Sequence, residues 1–243
     1  MNAPHNSRAM AKVVSAISSA AARKLLTAVA LAAAPLFAAG FASNAMATVE
    51  LKLSSGAYTT AVSVGALCGS ETCVSYTGTV GSWDINLTNG TSAGPGNPTM
   101  DLSSIDANTS GGAPPLHIEL SDNGFSVGSS LFLLVSSGHI VGSGSGTATY
   151  SAYFDTGNTD FAETTPIGTL GPFSALYAAS MTGPGTTATP YSLTMDVVLT
   201  AGAGGVKWST DSSIAPVPEP ASLILLGSAL VGLGLFGRPR KLA

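Results

Sequence analysis

Positive charge is what the middle of this sequence has least of. Of nine Lys and Arg in 243 residues, only Lys52 and Lys207 fall between Lys24 and Arg238, whereas all 13 Asp and Glu lie from Glu50 to Glu219. Two positive against thirteen negative charges give that segment a formal charge of −11, which the whole-chain value of −4 conceals. Such a surface repels phosphate backbones and anionic lipid, and so argues against nucleic-acid partners. It is compatible with divalent cations, with neutral glycans, or with solubility alone. Cysteine is nearly absent too: Cys68 and Cys73 stand alone. C-x4-C without further Cys or nearby His is neither a zinc site nor a C-x-x-C redox pair. Helical periodicity is missing from the same middle segment.

What is present is concentrated at the two ends. Lys12, Arg23 and Lys24 precede an apolar stretch from Leu25 to Ala42, followed by Ala45-Met46-Ala47. That is the pattern of a secretory signal peptide, with Ala45 and Ala47 as the small residues of the cleavage site and cleavage after Ala47. Met10 is an alternative start that makes the charged region a more ordinary length. Residues 1–47, His5 included, are assigned to targeting, and the general secretion machinery is the expected partner there.

At the other end come Pro216, Val217, Pro218, Glu219 and Pro220, then an uncharged run from Ala221 to Gly237, then Arg238, Pro239, Arg240 and Lys241. Proline fixes φ and removes a backbone donor, so three prolines in five positions favour an extended segment that a processing enzyme can grip. A helix over residues 221–237 reaches about 25 Å, slightly short of a hydrocarbon core. Arg238, Arg240 and Lys241 hold its end on the cytoplasmic side.

This tail resembles the PEP-CTERM sorting signal of Gram-negative bacteria. Pro218, Glu219 and Pro220 match its triplet, Ala221-Ser222-Leu223 continue it in the usual order, and a single span and basic cluster follow. The resemblance covers the last 28 residues and implies recognition by exosortase, an integral-membrane cysteine protease or transpeptidase often encoded beside exopolysaccharide genes. It further implies anchoring in the inner membrane before processing, then delivery to the cell surface or extracellular space. A simple membrane anchor that is never processed is the plain alternative.

Between the ends, residues 48–215 suffice for one domain with a sizeable core. Alternating runs at Val49–Leu53, Tyr58–Val64, Val74–Val80, Trp83–Leu87, Leu116–Leu120, Leu131–Val135, Thr147–Phe154 and Tyr191–Leu199 predict strands. Turns are expected at Asn89-Gly90, Gly94–Pro98, Gly111-Gly112, Asp122-Asn123-Gly124, Gly157-Asn158 and Gly183-Pro184-Gly185. Asp101 and Asp106 are expected in turns as well, and so are the Asn and Thr residues of the sequons Asn86-Leu87-Thr88, Asn89-Gly90-Thr91 and Asn108-Thr109-Ser110. Many short strands with frequent turns predict an all-β, antiparallel sandwich or jelly-roll-like domain. Residues 1–47, 48–215 and 216–243 are therefore signal peptide with its helix, exported β domain, and sorting signal with its single transmembrane helix.

Export to an oxidising compartment predicts a Cys68–Cys73 disulfide fixing a hairpin end. Asp155, Asn158 and Asp160, with Glu163 just beyond, offer oxygens around Gly157 that suit a weak calcium site, although the spacing is not that of an EF-hand and a hairpin turn uses the same residues. No other cofactor is indicated. His117 and His139 lie in strand-like contexts, no serine sits in a G-x-S-x-G elbow, and no carboxylate pair stands out. Trp83 and Trp208, with six Tyr, supply either core packing or a sugar-stacking face. Three classes follow: a non-enzymatic surface or matrix protein associated with exopolysaccharide or biofilm, a glycan-binding adhesin, and, third, a secreted hydrolase.

Overall fold

The computed structural model describes residues 48–218. The signal segment with Ala45 and Ala47, and everything from Glu219 onward, including Pro220, the span and Arg238, Arg240 and Lys241, lie outside the described residues. Fourteen strands follow in chain order. They are β1 (Glu50–Ser55), β2 (Tyr58–Thr59), β3 (Ser63–Val64), β4 (Ala66–Cys68), β5 (Glu71–Val80), β6 (Trp83–Ser92) and β7 (Met100–Thr109), then β8 (Leu116–Phe125), β9 (Ser129–Gly142), β10 (Gly146–Asp155), β11 (Thr165–Phe173), β12 (Tyr177–Thr186), β13 (Tyr191–Ala201) and β14 (Val206–Pro216). Among the described residues no helix is formed, and none is long and apolar enough to cross a membrane.

Every pairing is antiparallel, within two seven-stranded sheets. One runs β11-β10-β13-β8-β1-β2 with β3 also on β1, and the other β12-β9-β14-β7-β6-β5-β4. From β7 onward successive strands switch sheets, except at the β10–β11 hairpin. Strands β7-β14-β9-β12 and β8-β13-β10-β11 thus form two facing four-stranded halves in jelly-roll order.

The core follows from period-two alternation. In β1, Leu51 and Leu53 are buried while Glu50, Lys52 and Ser54 face outward. Trp83 and Trp208 meet in the core with ring centroids 4.9 Å apart. Trp83 is 0% exposed and donates its indole N–H to the Pro114 carbonyl at 2.8 Å. A second aromatic group, Phe125, Phe132 and Tyr191, packs farther along. A third joins Tyr150, Phe173 and Tyr177, whose two phenols share the Thr210 hydroxyl. The sugar-stacking role for Trp83 and Trp208 is thereby corrected: both are sealed in the core.

Besides the three-residue β4, four strands escaped the alternation rule, each for a local reason. In β7, Met100 and Leu102 face inward but Ile105 and Ala107 continue out of phase. The register slips at this point against β14, where Ser104 adopts a positive φ of 55° and its N–H is capped by Asp211 at 2.7 Å. In β14 the inward positions include Thr210 and Ser212, hydroxyls that masquerade as surface residues but bond to the Ser137 and Val135 carbonyls. Strands β11 and β12 are edges, where Pro166, Pro172 and Pro184 are tolerated because one side of the ladder is unpaired.

Three expected turns are strand instead. Asn89-Gly90 lies in β6, Asp122-Asn123-Gly124 in β8, and Gly183-Pro184-Gly185 in β12. Gly90 is small for packing: a Cβ there would meet Leu120 Cδ1 at 2.9 Å and Val74 Cγ1 at 3.2 Å. Gly124, at φ 76°, sits where β8 slips register against β13. Asp101 and Asp106 lie in β7, not in turns, and the Asn residues of the three sequons lie in β6 and β7. Gly94–Pro98, Gly111-Gly112 and Gly157-Asn158 do fall between strands.

Candidate functional site

Cys68 and Cys73 form the expected disulfide, across the β4–β5 hairpin with Cα atoms 5.9 Å apart. It clips a three-residue edge strand whose residues are all exposed.

The chemistry of the domain is denser on the outer face of the β1-β8-β13-β10 sheet, where residues 156–164 connect β10 to β11. Asp155, at the end of β10, closes this loop on itself: its carboxylate accepts from the Thr159 N–H at 3.1 Å and the Thr164 hydroxyl at 2.9 Å. Burial opposes the charge there, but hydrogen bonds from Thr164, Thr159 and Gly157 hold the Asp155 carboxyl below its ordinary value. Asn158, at φ 58°, accepts the Gly124 N–H at 2.7 Å. Asp155 and Asn158 thus serve the turn and its docking to β8.

The rest of the loop is tied down by neutral groups. Ser192 donates to the Thr159 carbonyl at 2.7 Å, and the Phe161 N–H donates to the Ser121 hydroxyl at 2.9 Å. The Phe161 ring lies 4.5 Å from Lys52 Nζ, which pairs with Glu119 at 2.8 Å. Asp160, the third expected cation ligand, turns toward β8 and takes a hydrogen bond from the Asn123 amide.

Docking the loop brings acid onto acid. Burial, and then the Asp160 and Glu50 carboxylates, push Asp122 up to about 6, opposed by the nearby Ser92 hydroxyl and the Asn123 N–H. Glu50 is raised by burial and by Asp160. Nearby, Asp196 is also pushed up to about 6, by burial first, with His117 opposing and Glu119 and Glu163 adding to the rise. Three buried carboxylate oxygens have no hydrogen-bond donor among the described residues: Asp122 Oδ2, Asp160 Oδ1 and Asp196 Oδ1. All three belong to residues of this sheet or of the loop that covers it. None of these meetings was legible in the sequence, where the residues stand tens of positions apart. The one signal was the deficit of Lys and Arg.

The histidines are separated. His117 Nδ1 lies 3.1 Å from Asp196 Oδ2 on this face. His139 lies on the opposite sheet, in a cross-strand row with Ser209 and Asp106. A Ser-His-Asp relay needs the imidazole between the other two groups; here the serine is in the middle.

The geometry defines a two-sheet antiparallel β domain with an acidic outer face, whose last strand runs directly into a C-terminal proline segment. Pro216 pairs with Phe132, and the Val217 N–H still donates to the Leu131 carbonyl at 2.9 Å. Residues 216–241 match the PEP-CTERM protein-sorting motif. The chain therefore carries that motif, which implies exosortase processing, export and cell-surface sorting. No curated protein matches the chain.

Solved structures with partial likeness include the carbohydrate-binding module TmCBM61, in complex with β-1,4-galactotriose. It has 8% identity and a TM-score of 0.30, over 56% of this chain and 88% of that one. TmCBM27, a carbohydrate-binding module that recognises mannan, has 9% identity and a TM-score of 0.29, over 61% and 90%. The K1 cleaved adhesin domain of Lys-gingipain from Porphyromonas gingivalis W83 has 11% identity and a TM-score of 0.30, over 60% and 99%. At this level of likeness none of them bears on what this chain binds.

Proposed function

We propose that this chain is a non-enzymatic cell-surface or extracellular-matrix protein, delivered by exosortase through its C-terminal signal and associated with exopolysaccharide or biofilm. The observation that carries this reading is the sorting motif at residues 216–241. In this reading residues 1–47 direct secretion and are removed after Ala47, residues 221–237 hold the protein in the inner membrane, and processing at the Pro218-Glu219-Pro220 triplet releases it.

The junction supports the reading and adds a constraint. The last backbone hydrogen bond of the domain is at Val217, and the apolar run begins at Ala221. Four residue steps reach at most about 14 Å. The folded domain is therefore held against the membrane until processing frees it, and its surface, with two basic against twelve acidic residues, is repelled by anionic headgroups. A glycan-binding version of this reading has to use side chains other than Trp83 and Trp208.

The test is Glu219→Ala, expressed in a host that has exosortase. The variant is expected to remain as an unprocessed membrane form while the wild type is processed, with mass spectrometry locating both cleavages. Identical processing of the two proteins overturns the reading.

A further inference from the structure

We propose that Asp122 and Asp160, at the rim of the β1-β8-β13-β10 sheet, together take up one divalent cation of the calcium class that locks the β10–β11 loop onto the sheet. Both carboxylates are tied to Asn123. Asp122 Oδ1 accepts the Asn123 backbone N–H at 2.8 Å, and Asp160 Oδ2 accepts from the Asn123 side-chain amide. The second oxygen of each, Asp122 Oδ2 and Asp160 Oδ1, is buried and has no donor. Asp122 is 0% exposed. A buried carboxylate oxygen without a partner is costly, and native structures relieve it with a donor, a water or an ion.

Charge points the same way. Glu50, which pairs with Ser121 at the same end of the sheet, is raised first by burial and then by the Asp160 charge. The one basic residue on the adjoining strand, Lys52, is committed to Glu119 and to the Phe161 ring. The loop is anchored by the neutral contacts of Asn158, Thr159 and Phe161. Those contacts set Asp160 on the side-chain amide of Asn123, the residue next to Asp122, where its negative charge bears on the Asp122 carboxylate.

The donor set fixes the class of ion. It consists of carboxylates with the Ser92 hydroxyl close to Asp122, and neither thiol nor imidazole belongs to it. Hard oxygen donors in irregular array suit calcium, whereas zinc and copper select nitrogen and sulfur. Among the described residues no three His, Cys, Asp or Glu side chains are gathered as one metal-holding group. Two carboxylates completed by neutral oxygens and water place the affinity with extracellular modules, at a Kd of about 0.1–1 mM. Such a site fills outside the cell and empties in calcium-poor medium.

The full chain, purified in mild detergent and stripped with chelator, is titrated with CaCl2 by calorimetry, with MgCl2 as the comparison ion. Wild type is expected to bind one calcium saturably in the stated range and to melt at a higher temperature when filled. Asp122→Asn and Asp160→Asn are each expected to weaken binding at least tenfold, while Asp106→Asn, on the other sheet, leaves it unchanged. Asp122→Asn also removes the buried unpaired charge. Without calcium it is therefore expected to melt no lower than calcium-free wild type, which separates a lost ligand from a damaged fold. No saturable heat up to 10-fold above about 1 mM, or binding untouched by both substitutions, overturns the proposal. Because binding is measured on purified protein, this outcome is independent of whether exosortase processes the chain.

Discussion

Replacing Asp196 by Asn is expected to stabilise the protein, and to do so only where the native carboxyl is charged. Asp196 is 6% exposed, with one oxygen near His117 Nδ1 and the other buried without a donor. Its carboxyl is pushed from 3.8 up to about 6 by burial, aided by Glu119 and Glu163 and opposed by His117. Glu119 faces it from β8 in direct register, Ser151 from β10, and Glu163 from the β10–β11 loop.

A rise of that size corresponds to at most about 3 kcal/mol. The folded protein keeps this proton up to about pH 6, whereas the unfolded chain releases it near pH 4, so the folded state binds more protons in between. The contribution of Asp196 is therefore most favourable below about pH 4, falls as pH rises through about 6, and is level above that. Asn cannot ionise, keeps the shape, and still offers an acceptor to His117.

The difference in stability, variant minus wild type, should be near zero at about pH 4. It should grow to at most about 3 kcal/mol in favour of the variant by about pH 7.5, or about 6–12 °C in melting temperature for a domain of this size. Urea unfolding of both proteins in chelator, from about pH 4 to about pH 8, reads it directly. A difference that stays flat across that range contradicts this account of the buried carboxyl. So does a variant less stable than wild type at the alkaline end, which would make the His117 pairing worth more than the burial costs.

Two further substitutions test the core. Trp83→Ala removes a fully buried indole, its contact with Trp208 and its hydrogen bond to Pro114; a loss of about 3–5 kcal/mol is expected in chemical unfolding, and a loss under about 1 kcal/mol would argue against the buried placement. Thr210→Val keeps the shape but removes the hydroxyl that donates to Ser137 at 2.8 Å and is shared by Tyr150 and Tyr177. Burial raises both phenols above the ordinary tyrosine range, so neither finds relief by ionising. About 1–3 kcal/mol should be lost, and unchanged unfolding would show that the two phenols satisfy each other.

The tail and the class of fold were legible in the amino-acid order alone. The sorting signal can be read there because its elements are contiguous: a proline triplet, an apolar run and a basic end act through local chain stiffness, hydropathy and charge, with no partner needed from elsewhere. The all-β class is readable for a similar reason, since runs such as Val49–Leu53 and Tyr191–Leu199 announce their buried side through a two-residue period. The same rule failed at β7, where a bulge at Ser104 resets the phase, and at β14, where Thr210 and Ser212 face inward because carbonyls on β9 await them. The turn signal in its place failed at Asn89-Gly90, which lies in β6 and whose glycine is set by the closeness of Leu120 and Val74.

Folding had to settle that Trp83 packs on Trp208 rather than facing a sugar, and that Asp155 caps its own loop while Asp160 reaches Asn123 and Asp196 faces Glu119. Those outcomes depend on which strands become neighbours and in what register. The cost of burying an unpaired carboxylate arises only once long-range pairing has removed the water around it.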